Sequence, residues 1–204
     1  MANVDRAFGF RPVRYLSGAP YNGAFNRYEL PVGESENVMI GDFVKLASSA
    51  PTEEYPAVER LAASGVVTSG VIVGCVVGFE VQGTALNAGT PNMDVPLYAR
   101  EDVKKFLHVA DDPALVFEAQ EDSVGGAIAV ASLGLNVGIN CAVGSTTTGA
   151  SGMEIDSSSV DTTNTLPLQL MGRVARPDNE ADTAEAKYLV RINTHAYHGT
   201  VTAV

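Results

Sequence analysis

Residues 66–81, VVTSGVIVGCVVGFEV, restrict the possible folds of this 204-residue chain more than any other segment. Valine and isoleucine branch at Cβ, which stiffens χ1 and suits a pleated strand better than a helix. The run is apolar at consecutive positions. That is the pattern of a strand covered on both faces, or of two strands in succession. Gly70, Gly74 and Gly78 recur every fourth residue. On a helix they would form a small-residue stripe; among so many β-branched neighbours they predict bulges or close backbone approach.

Further strands are predicted over residues 25–31, 94–99, 106–110, 115–120, 166–175 and 188–197. Residues 38–47 read as a strand pair about a turn at Gly41-Asp42, with Phe43, Val44 and Leu46 as the apolar set. Asp111, Asp112 and Pro113 make the turn between two of these strands, and Pro51 and Pro56 set a loop over 48–56. Residues 83–92 read as another loop. The Ser/Thr/Gly-rich stretch 144–159 reads as a long exposed loop or hairpin, and the Ala-rich 125–133 as a short helix. The sum is a mainly-β fold with little helix: a β-sandwich or barrel-like body over residues 25–204, as one unit or two packed subdomains. Residues 1–24, broken by Pro12, Gly18, Pro20 and the turn dipeptide Asn22-Gly23, read as an extended N-terminal arm ahead of that body.

Charge narrows the partners. The chain carries 24 acidic and 13 basic residues, a net −11, and residues 106–172 contain no lysine or arginine. Nucleic-acid binding needs clustered cations, so no nucleic-acid partner is expected. Only the N-terminus departs from this, where Arg6, Arg11 and Arg14 face only Asp5. With Phe8, Phe10 and Tyr15 as apolar anchors, these arginines form the candidate partner-binding arm, suited to an acidic neighbour. Deleting residues 1–16 is expected to weaken attachment without unfolding the body. The first residues lack the apolar core of a signal peptide. The apolar stretch 124–143 is interrupted by Gly125, Gly126, Gly134, Gly138, Asn136 and Asn140, so no membrane span is expected.

Little in the chain reads as chemistry. His195 and His198 stand three apart and would point to opposite faces of a strand, and no cysteine lies beside them, so no zinc site is expected. His108 reads as a structural or edge histidine. Asp178, Glu180 and Asp182 alternate in a loop without the ligand number or glycine turn of a calcium loop. Glu118, Glu121 and Asp122 form a second acidic cluster, with no tryptophan platform for a sugar ring. Ser151 has glycine immediately after it, where a nucleophile elbow needs glycine two residues on. Cys75 and Cys141 read as small buried hydrophobes, with a disulfide between them left open. The expectation is no enzyme, no catalytic residue, no cofactor and no metal.

Several blocks carry a resemblance. FGFRPVRYLSGAPYNG (8–23), GDFVKL (41–46), VPLYA (95–99), DDPALVFEAQED (111–122), STTTGASGMEIDSS (145–158), RPDNE (176–180) and AKYLVRINTHAY (186–197) are similar to a family of tailed-bacteriophage virion structural proteins. The resemblance spans nearly the whole chain. It implies a capsid decoration, or cement, protein that binds the outside of the major capsid lattice as a homotrimer. Such a protein is assembled in the host bacterial cytoplasm and resides in the virion. A tail or connector (neck) protein is the alternative. An oligomeric β-fold enzyme or small-ligand binder is a further one, which would need a convergent polar pocket.

Overall fold

A computed structural model describes residues 3–33, 36–52, 54–80, 98–100 and 105–198. Twelve strands are defined there: β1 Arg11–Tyr15, β2 Asn26–Leu30, β3 Phe43–Leu46, β4 Val58–Arg60, β5 Val66–Val67, β6 Gly74–Phe79, β7 Lys105–Ala110, β8 Leu115–Gln120, β9 Asn136–Ala142, β10 Gly152–Asp161, β11 Leu168–Arg173 and β12 Lys187–Ile192. They form two antiparallel sheets. One runs β1-β8-β12-β11-β9-β10, with β5 also pairing β9; the other runs β2-β7-β6-β3-β4. A parallel bridge between Glu121 and Ile155 ties β10 back to the end of β8, so the larger sheet curls on itself. The protein is mainly β, with a sandwich-like body.

The apolar run at 66–81 becomes two strands in different sheets. β5 pairs β9 of the larger sheet; β6 pairs β3 and β7 of the smaller. β6 is covered on both faces. Cys75 belongs to the main core with Phe43, Ala110 and Phe117, whereas Val76 belongs to a second core with Val44, Leu107 and Val109. Neighbouring strand residues face opposite ways, so burial on both sides accounts for the unbroken apolar sequence. The register slips between Val76 and Gly78, a bulge at one of the repeated glycines.

Residues 11–15, read from sequence as part of an arm, are instead the end strand β1 of the larger sheet, with Arg11 opposite Glu118 and Tyr15 opposite Leu115. Phe10 is 1% exposed and stacks on Phe43 with ring centroids 4.1 Å apart. A deletion through residue 16 therefore removes a strand and a core aromatic along with any binding surface.

Other expectations are corrected. Only Val130–Ser132 form a 3-10 turn in the stretch read as a short helix. Ile128 just before it is fixed by its N–H to Glu121 Oε2 at 2.7 Å, which pulls that loop inward. Of the two forms expected for 144–159 the hairpin is the one found, with β10 occupying its second half. Ser157 and Ser158 are tolerated in that strand because Asp122 and Asp156 accept their hydroxyls. Val38 and Ile40 make single bridges to Ala99 and Ala150 and do not pair with β3 as a hairpin. β12 stops at Ile192. His195 and His198 then lie in a turn, joined by the His198 N–H to the His195 carbonyl at 3.2 Å. The predicted loop at 83–92 and residues 94–97 of a predicted strand lie outside the described residues.

Candidate binding site

The acidic and nucleophilic side chains singled out above separate into structural pairings. Ser151 is 1% exposed and donates its hydroxyl to Asp42 Oδ1 at 2.5 Å. Asp42 Oδ2 accepts from Arg60 Nε at 3.0 Å and from the Met39 N–H at 2.9 Å. The rest of the Arg60 guanidinium donates to the carbonyls of Ala62, Ala63 and Ala142 at 2.7–2.8 Å. This buried knot joins the turn before β3, the end of β4, the end of β9 and the start of β10, and so fastens one sheet to the other. Both thiols are buried, and burial pushes each pKa upward, to about 11 at Cys141, so neither is activated.

Glu118 pairs with Arg176 at 2.5 Å, Glu121 accepts the Ile128 N–H, and Asp122 accepts Ser157. The three do not share a site. Asp178 pairs with Arg176 and Lys187, and Asp182 accepts the Val130 N–H. His195 is 2% exposed and takes the Tyr197 N–H on Nδ1 at 3.0 Å. Burial lowers its pKa and keeps the imidazole neutral. His108 stacks on Phe25 at 4.1 Å.

One acidic convergence escaped the sequence reading. Oxygens of Asp5, Glu154 and Glu185 lie within 4.8 Å of one another. Burial, then repulsion from Glu185, Asp5 and Asp122, raises the Glu154 pKa to about 8. Glu185 is raised too, by burial first and Asp5 second. Three oxygens fall short of the six to eight that calcium takes.

The N-terminal candidates divide. Arg6 is exposed, and its backbone N–H donates to Gln120 Oε1 at 3.2 Å. Arg14 Nη1 reaches the Tyr15 carbonyl at 3.4 Å, and the Tyr15 hydroxyl donates to Asn22 at 3.3 Å. Phe10 belongs to the core. Phe8 and Arg11 alone come together with outward-facing neighbours, the Arg11 guanidinium lying 5.0 Å over the Phe8 ring. They line a cavity of about 260 Å³ with Pro12, Tyr21, Ile40 and Val77, floored by Phe10, Gly41 and Val76.

The floor is set by two glycines. Gly9 and Gly41 adopt φ of +72° and +96°. A Cβ on Gly9 would meet the Gly41 oxygen and the Ser151 Cβ, each at 2.5 Å. The Phe10 N–H donates to the Gly41 carbonyl and the Gly41 N–H to the Val76 carbonyl, both at 2.8 Å. Further upstream, the Asn3 side chain bonds Thr183 Oγ1 and the Ala184 carbonyl and accepts the Glu180 N–H. Residues 3–10 are thus stitched onto the body. Sequence reasoning missed Tyr21, which folds back on β1 with its N–H to the Val13 carbonyl, and Ile40 and Val77, which join the groove by long-range contacts.

No protein-family model, curated protein or solved structure matches the chain.

Proposed function

We propose that the chain is a non-enzymatic bacteriophage virion protein that decorates the outside of the major capsid lattice and stabilises the mature head. The observation that carries this reading is the contrast between the body and its N-terminal face. Inside, the buried side chain of Asp42 is taken up by Arg60, Ser151 and the Met39 N–H, and Ser151, Cys75 and Cys141 sit in structural roles. On the N-terminal face, Arg6 and Arg11 make no ion pair among the described residues, although the chain is strongly acidic. Such a molecule has binding energy to offer. A ligand that binds only the expanded shell stabilises that shell by mass action.

The test is co-sedimentation of the purified protein with expanded and unexpanded heads, followed by imaging of the added density. Saturable binding to expanded heads, with density on the outer lattice, is the expected result. Density at the tail or neck would move the protein to another virion part, and absence from all particles would end the reading.

A further inference from the structure

The groove between β1 and the β6 bulge has three properties that together define an occupant. Its floor is tightly packed: Gly9 and Gly41 interlock without room for a Cβ, and two backbone hydrogen bonds join Phe10 to Gly41 and Gly41 to Val76. Its size, about 260 Å³, lies just below the range of roughly 300–1,000 Å³ typical of drug-sized ligand pockets. It suits one large side chain better than a cofactor. Among the described residues its lining holds one cation, Arg11, and no carboxylate, in a chain with 24 acidic residues. Ile40, 45% exposed, stands at its rim.

The mode of contact follows from the sheet edge. β1 is the end strand, but its second half is already covered: the Tyr15 N–H donates to the Ala19 carbonyl and the Tyr21 N–H to the Val13 carbonyl. What stays open lies about Arg11 and Pro12, and proline has no N–H to give. Addition of a partner strand to this edge is therefore a poor fit. Side-chain capture is the better one.

We propose that this groove receives a single apolar side chain from an extended, acidic segment of the capsid protein, with a neighbouring carboxylate held by Arg11. The inference rests on the capsid reading above. It also reverses the direction of contact expected from the sequence. Residues 8–12 are the fixed receptor wall, and the partner supplies the mobile segment. Charge complementarity selects that segment: a carboxylate meets the planar guanidinium bidentately, and a lysine in its place meets a like charge.

The test uses two small probes on the full-length protein, acetyl-Asp-Leu-amide and acetyl-Lys-Leu-amide, followed by NMR shift changes. The aspartyl probe is expected to shift resonances of Phe8, Arg11, Ile40 and Val77 together. The lysyl probe, and the aspartyl probe on Arg11→Glu, are expected to bind at least about tenfold more weakly, the size of one lost charge-assisted hydrogen bond. Arg11 is exposed, and Ile40→Glu gives a second rim variant whose folding is checked by the same spectra. Scattered shifts, or equal affinity for both probes, overturn the proposal. On expanded heads, wild-type binding with about tenfold loss in Arg11→Glu supports it. Equal binding by Arg11→Glu overturns the groove as the docking place while the capsid reading stands. A wild-type protein that binds the aspartyl probe but no head overturns the capsid segment as occupant, and the capsid reading with it.

Discussion

Two clusters of polar groups in this molecule use the same carboxylate chemistry to opposite ends. At the Asp42 knot a buried carboxylate has its counterion, a hydroxyl and a backbone N–H within 3.0 Å. At the Asp5–Glu154–Glu185 convergence three carboxylates meet, and Glu154 Oε1 is buried without a hydrogen bond. The first is a fastening between sheets whose charges are neutralised inside the protein. At the second, burial and mutual repulsion raise the pKa of Glu154 and Glu185 and so favour their protonated forms. A buried charge is tolerable when its partner comes with the fold, and where none comes, protonation substitutes for it.

The largest test of that contrast is Arg60→Met, which leaves Asp42 charged and uncompensated in the core. It is expected to cost about 3–5 kcal/mol, read as a fall in the urea midpoint. The double variant Asp42→Leu/Arg60→Met should recover part of that loss, since no unpaired charge remains. A single variant as stable as wild type would show that the knot does not hold the sheets.

Gly9→Ala attacks the same knot from outside, through Gly41 and the Ser151 Cβ. Left-handed strain and overlap together are expected to cost about 2–4 kcal/mol, by the same denaturation measurement. Gly23→Ala serves as a control, because Gly23 also has positive φ but open space around it.

Glu154→Gln probes the other cluster, with the opposite sign. The folded-state pKa of Glu154, about 8, lies above its ordinary 4.5. Folding therefore favours the protonated form. Its stabilising effect is complete below pH 4.5 and is lost as pH rises through about 8. The glutamine variant should be more stable than wild type at pH 9 by about 1 kcal/mol, a modest figure because water reaches part of the site. Its stability should also change less between pH 5 and 9. Identical pH profiles would remove the carboxylate repulsion from the account.

The smallest effect is expected at His195, whose depressed pKa gives the reverse slope. Stability from the neutral imidazole is present above its ordinary 6.5 and is lost as pH falls through the lowered folded-state value. Histidine NMR titration on the folded protein should place His195 below its ordinary 6.5; a titration at or above that value would contradict its burial.

Much of the β content was legible from the residues themselves. The apolar run of β6 and the strands β7, β8, β11 and β12 carry enough Val, Leu, Ile and Tyr to declare themselves. β10 did not, because a Ser-rich strand is stabilised there by Asp122 and Asp156 reaching its hydroxyls. β1 did not, because Pro12 within it and Gly9, Gly18 and Pro20 around it look like an arm until Phe10 finds Phe43, 33 residues away. Of the candidate binding residues, Phe8 and Arg11 meet at a groove; Phe10 becomes its floor, and Arg6, Arg14 and Tyr15 lie apart from it. The groove's other wall, Ile40 and Val77, depends on sheet topology that no local pattern encodes. The acidic convergence is likewise a product of topology, since Asp5, Glu154 and Glu185 are far apart in the chain.

Shell reinforcement, the role proposed for this molecule, is read out by heating expanded heads with increasing amounts of the purified protein and following genome release. The disruption temperature should climb with added protein and level off once the lattice sites are filled. A disruption temperature that stays flat across the titration would contradict the account.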